Sequence, residues 1–342
     1  MGKAAAARKL ASAAALGGGG MTVAGAGLYG LLRAEAKVAR RIIGVRSDEP
    51  VPDATGWYGR TRPGPAYRVA LIGDSSAAGY GVSAVEDTPG AAFASGLSQR
   101  ADRRVYLRSF AVVGAQTSEI APQVDAALLI EPDAAIILVG ANDVTHTVMP
   151  KESVRHLSEQ VRRLRDAGVE VVVGTCPDLG TLKPIAPPLK QVARTWSRRL
   201  AAAQTIAVVE AGGRTVSIGS ILGPEFEAAP AVLFGPDQFH PSADGYRSLV
   251  AVMLPSVLAA LGLEPDDEEH LEALRGEAVM PVARAAVAAV RQPGTELGGT
   301  EVRGDRLGVR GRWVEMRHRR RRPAGEAESP ELHEAAQAPE GA

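Results

Sequence analysis

The chain has 342 residues, is 45% hydrophobic and 4% aromatic, and carries 39 Lys+Arg against 39 Asp+Glu. That much apolar material can bury the core of one large domain with extensions, and balanced charge gives no reason to expect nucleic acid as a partner. The single cysteine, Cys176, excludes an intramolecular disulfide and zinc sites built from several cysteines. Just after an apolar strand, it reads as a small core residue.

Residues 1–40 read as a signal peptide or membrane anchor. Lys3, Arg8 and Lys9 precede an uncharged Ala/Gly-rich stretch, 10–32, with Ala24-Gly25-Ala26 offering a small-residue cleavage site. The same stretch is long enough to span a bilayer, so export and membrane attachment through residues 10–32 both remain open. Arg33, Lys37, Arg40 and Arg41 flank its far side, so positive charge sets no orientation. Residues 41–66, with Pro50, Pro52, Pro63 and Pro65, read as a linker.

From Tyr67 apolar runs alternate with helical spacing. The runs are 68–72, 105–113, 134–139, 169–173 and 205–209, and helices are predicted over 90–101, 117–130, 153–167 and 189–203. Continuous apolar strands separated by helices predict a parallel sheet covered on both faces. A last helix starts at Ser242 behind Pro241 and ends near Leu261. The domain is thus expected to span 67–262. Residues 263–291 predict a helical extension, and 292–342 a disordered charged tail with a basic run at 317–322.

Three motifs carry chemistry. Gly73-Asp74-Ser75 closes the first apolar run, Gly140-Ala141-Asn142-Asp143 closes the third, and Asp237-Gln238-Phe239-His240 lies far downstream. Ligands of open parallel sheets bind at the carboxyl ends of strands, so Ser75 stands where a nucleophile belongs, with Ser76 as its neighbouring rival. A serine hydroxyl needs a base, and Asp237 lies three residues from His240, close enough to hold its Nδ1 proton and leave Nε2 free. Oxyanion donors are expected from the Ser75 N–H, the Gly114 N–H and the Asn142 amide. The proline-rich stretch 177–191 reads as a loop bordering the site.

With these motifs in this order, the chain resembles the SGNH/GDSL hydrolase family over roughly 67–261. The name-giving residues map onto Ser75, Gly114, Asn142 and His240, with Gly-Asp-Ser-Ser in the first block. The resemblance implies a flavodoxin-like three-layer α/β/α sandwich with about five parallel strands. It also implies ester or thioester hydrolysis through an acyl-enzyme, with neither metal nor organic cofactor. The expected activity is a serine esterase using Ser75, His240 and Asp237 on a short-chain acyl or acetyl ester of a small molecule, lipid or glycan. The alternatives are an O-acyltransferase or deacetylase on a cell-envelope glycan and a non-catalytic envelope scaffold. The complete set of site residues argues against the scaffold.

Overall fold

The computed structural model describes residues 30–38, 51–263 and the backbone of 296–297. At the centre lies β2 (Tyr67–Gly73), whose side chains alternate between two cores: Val69 and Leu71 enter one, Ala70 and Ile72 the other. Burial on both faces explains why this strand is apolar throughout rather than at every second residue. β3 (Val105–Ser109), β4 (Ala134–Leu138), β5 (Glu170–Gly174) and β6 (Arg214–Val216) join it in parallel, in the order β3-β2-β4-β5-β6. That order is the flavodoxin-like one, with the first strand of the parallel set inside and the chain winding outward on both sides. β1 (Gly56–Tyr58) adds antiparallel to β3 at one edge, and β7 (Glu296–Leu297) antiparallel to β6 at the other.

α3 (Pro89–Ala101) and α11 (Ala243–Ala260) supply Phe93, Leu97, Tyr246 and Met253 to one core. α4 (Ala121–Leu128) and α6 (Pro150–Asp166) supply Val124, Leu157, Val161 and Leu164 to the other. The long α7 (Leu189–Glu210) straddles the two, with Leu200 in the first core and Val208 in the second. The result is the expected three-layer α/β/α sandwich. Thr88 caps α3 by accepting from Ala91 N at 3.2 Å, and Ser242 caps α11 by accepting from Gly245 N at 3.2 Å. Short helices occupy the strand-to-helix turns: α2 (Ser75–Ala78) after β2 and α5 (Ala141–Thr145) after β4. The connection from β6 to α11 holds α8 (Ile218–Ile221), α9 (Gly223–Ala228) and α10 (Pro230–Leu233).

The structure departs from the sequence reading in three places. The run 205–209, expected as a strand, lies inside α7, where Thr205 Oγ1 donates to the Ala201 carbonyl at 2.9 Å. A short apolar run serves a buried helix face as well as a strand; the fifth parallel strand is β6, reached through Gly212 at φ +82. The helix expected over 117–130 breaks into a 3-10 turn, Thr117–Glu119, and α4, where Pro122 sits in the first turn and needs no N–H acceptor. The stretch 41–66 contributes β1, with Trp57 opposite Tyr106 and their rings 5.1 Å apart. Pro52, Pro63 and Pro65 flank the strand rather than interrupt it, and residues 41–50 lie outside the described residues.

Helix α1, residues 30–38, falls within the expected leader. Its Glu35 carboxylate accepts from Leu189 N, the first residue of α7, at 3.0 Å. The rest of 1–40 and, beyond Leu263, the extension expected over 263–291 lie outside the described residues, as does the tail apart from the backbone of β7. No helix among the described residues is long and apolar enough to cross a membrane.

Candidate active site

The site forms where β2 and β4 end. Gly73 turns the chain at φ +143, and a Cβ there would lie 1.9 Å from the Leu138 carbonyl oxygen, so only glycine fits. The Gln123 side chain satisfies both backbone groups of Gly73, accepting from its N–H at 2.8 Å and donating to its carbonyl at 3.0 Å. Asp74 then caps α2 by accepting from Ser76 N at 2.9 Å, which leaves Ser75 as the first helical residue. A first-turn N–H has no acceptor within its own helix, so Ser75 N is available to a ligand.

Ser75 Oγ lies 2.8 Å from His240 Nε2, and His240 Nδ1 lies 2.6 Å from Asp237 Oδ2. The other oxygen of Asp237 accepts from the Phe239 and His240 N–H groups, both at 3.0 Å. These bonds hold a tight turn whose middle residue, Gln238, takes a left-handed φ of 56°. Ser75 is 5% exposed and His240 3%, so the relay is shielded yet reachable. Burial pushes the Asp237 carboxyl up, but hydrogen bonds from His240 and the Phe239 N–H outweigh it, and the net direction is below the usual value. Asp237 therefore stays ionised beside the imidazole, the state that fixes the Nδ1–H tautomer.

Of the oxyanion donors expected from sequence, Gly114 lies in the loop after β3 and Asn142 in α5, after β4. Gly114 has φ +84, and a Cβ built on it meets nothing within 4 Å, so this backbone faces open space. Its loop is tied to the end of β2 by Val112 N donating to the Gly73 carbonyl at 3.0 Å. Asn142, in α5, donates one amide proton to the Ala115 carbonyl at 3.0 Å and keeps the second. Asp143 Oδ2 accepts from Thr117 N at 3.0 Å and Thr117 Oγ1 at 2.9 Å, and Ser153 Oγ donates to Thr117 Oγ1 at 3.1 Å. Asn142 and Asp143 thus lock the Gly114 loop to α5, fixing Gly114 and Asn142 relative to each other.

A hydroxyl hydrogen-bonded to a base with its orienting carboxylate, at a parallel-sheet rim, is the arrangement that acyl transfer uses. Residues 71–248 match the GDSL-like lipase/acylhydrolase family. The chain belongs to that family. It is 42% identical over 273 residues to the GDSL-like esterase Rv1075c of Mycobacterium tuberculosis, covering 76% of this chain and 86% of that protein. Among solved structures it resembles TesA, at 18% identity and TM-score 0.45, over 57% of this chain and 99% of that one. It also resembles a catalytic variant of Axe2, an acetylxylan esterase from Geobacillus stearothermophilus, at 17% identity and TM-score 0.45, over 59% and 97% of the two chains. The protein is a serine hydrolase of the SGNH/GDSL type acting on carboxylic esters.

Several residues of the enzyme's site were missed by sequence reasoning. The Tyr80 ring lies 4.5 Å from the His240 ring and Phe239 stands edge-on at 4.8 Å, walling the imidazole on two sides. Tyr246, from α11, donates to the Tyr80 carbonyl at 2.7 Å and so anchors that wall. Phe239 and Asp143 stood inside the quoted motifs. Gln123 and Tyr246 carried no local signal, because their partners are 50 and 166 residues away. The rival Ser76 is turned to Asp74, to which it offers its backbone N–H and its side chain. Cys176 is 1% exposed, and burial raises its thiol well above the ordinary value, which keeps it protonated and unreactive.

Proposed function

We propose that the enzyme hydrolyses short-chain acyl or acetyl esters through an acyl-enzyme on Ser75. The unbroken relay from Ser75 Oγ through His240 to Asp237, at 2.8 and 2.6 Å, carries this reading. As Ser75 Oγ attacks the ester carbonyl, His240 Nε2 takes its proton and Asp237 stabilises the imidazolium. The Ser75 and Gly114 N–H groups and the free Asn142 amide proton receive the oxyanion. His240 then protonates the departing alcohol. In the second half a water is deprotonated by His240, attacks the acyl carbon, and releases the carboxylic acid from Ser75. Val112 and Val113, 54% and 37% exposed beside Gly114, form an open apolar rim suited to a short acyl group.

Purified protein is expected to cleave p-nitrophenyl acetate and butyrate faster than the laurate. Ser75→Ala should abolish turnover and labelling by a fluorophosphonate. Full turnover by Ser75→Ala overturns the nucleophile, and a preference for laurate overturns the acyl length. We also propose that the leader directs export or attachment to the membrane, supported by its basic start, uncharged stretch and Ala24-Gly25-Ala26. N-terminal sequencing of protein from culture medium and envelope fractions tests it. Recovery of the intact chain from the cytosol alone refutes it.

A further inference from the structure

A second pocket opens at the same rim of the sheet, near the ends of β5 and β6. It encloses about 730 Å³ between α7 and the segment from Ser217 through α9. None of Ser75, Gly114, Asn142, Asp237 and His240 lines it. A volume of this size at the carboxyl ends of parallel strands is the setting in which small ligands bind.

Its walls are rich in donors. Arg194, Arg198 and Arg199 face two carboxylates, Asp178 and Glu227, leaving a surplus of one positive charge. Arg198 donates to Asp178 Oδ2 at 2.9 and 3.1 Å, and Arg194 Nη2 reaches the Glu227 oxygens at 3.1 and 3.2 Å. Arg199 makes no ion pair among the described residues. Two further donors make no hydrogen bond. Arg194 Nε is buried and 3.4 Å from Asp178 Oδ2 without forming a hydrogen bond, and Ser217 Oγ is unpartnered on a residue only 3% exposed. A buried donor left unpaired costs ~1–3 kcal/mol, so an acceptor entering here relieves a standing cost.

We propose that this pocket binds a small oxyanion, a carboxylate or phosphate group on a ligand other than the ester being cleaved. Ser217 Oγ and Arg194 Nε donate to it, and Arg199 supplies the uncompensated charge. The floor of the pocket adjoins the oxyanion donors. A Cβ on Gly140 would lie 3.1 Å from Cys176 Cβ, and Gln204 joins Cys176 N to the Val139 carbonyl at 2.7 and 3.0 Å.

The test titrates full-length Ser75→Ala protein with inorganic phosphate and, separately, with sodium acetate, holding ionic strength constant with sodium chloride. The thermal midpoint is expected to rise about 3–6 °C at ten times the dissociation constant of the bound anion. A response to phosphate alone assigns a phosphoryl ligand, and a response to acetate alone a carboxylate. Adding Ser217→Ala or Arg194→Gln should abolish the rise, whereas adding Asn142→Ala should leave it intact. Because Ser217 Oγ has no partner, Ser217→Ala should not lower the anion-free midpoint, so its loss of response is a loss of binding. No rise above the chloride control with either anion overturns the proposal. So does a rise that survives both pocket variants, or one lost only with Asn142→Ala, which would place the anion in the oxyanion site.

Discussion

At Asp74 a single buried carboxylate sits one residue from the nucleophile. Burial pushes its carboxyl up to about 6, against the Ser76 N–H and the nearby His240, which both favour the charge. An unfolded aspartate titrates near ~3.9, so between about pH 4 and 6 the folded chain holds more protons and stability falls as pH rises. Asp74→Asn removes the charge but keeps an acceptor for the Ser76 N–H. It is expected to stabilise the protein by on the order of 3 kcal/mol at pH 8 and by about nothing below pH 4. Urea unfolding at both pH values checks this, and an equal difference at both would show that burial of the charge is not the cause. At Asp237, exchange for Asn should lower kcat by roughly 10⁴-fold with little change in KM, because the imidazole loses its tautomer lock. Asn142→Ala should cost ~3 kcal/mol in kcat/KM, the value of one oxyanion donor.

The end of β2 and the loop after β3 show why glycines with positive φ differ in consequence. Gly73 turns against β4, and its missing Cβ would strike the Leu138 carbonyl, a backbone atom that cannot move without parting β2 from β4. Gly73→Ala is expected to destabilise by more than ~4 kcal/mol, read as loss of soluble folded protein or a large fall in urea midpoint. Gly114 turns into open space, so Gly114→Ala meets only backbone strain of ~1–2 kcal/mol. Its methyl would project toward the substrate instead, and kcat/KM should fall at least about tenfold while the fold survives. Sequence placed both glycines at strand ends. It could not distinguish them, because the difference lies in what faces each turn across the sheet.

On the scale of the molecule, a hydrogen bond from Leu189 N to Glu35 ties α1 to the catalytic domain. Cleavage after Ala26 would leave α1 in place, with Glu35 at the positive end of α7. Glu35→Ala is therefore expected to lower stability by ~1 kcal/mol, measurable as a shift in urea midpoint. The parallel sheet, its helices and the pairing of Asp237 with His240 were legible in sequence because each rests on local information: continuous apolar runs, a glycine turn, an aspartate three residues from a histidine. Tertiary structure alone decided that 205–209 continues a helix, that 56–58 extends the sheet, and that Gln123, Asp143 and Tyr246 brace the site. Those outcomes depend on contacts between segments far apart in the chain, and a short apolar or polar run contains nothing that specifies its distant partner. The same holds for the pocket around Ser217, whose unpaired hydroxyl becomes visible only when α7 and the turn after β6 are brought together.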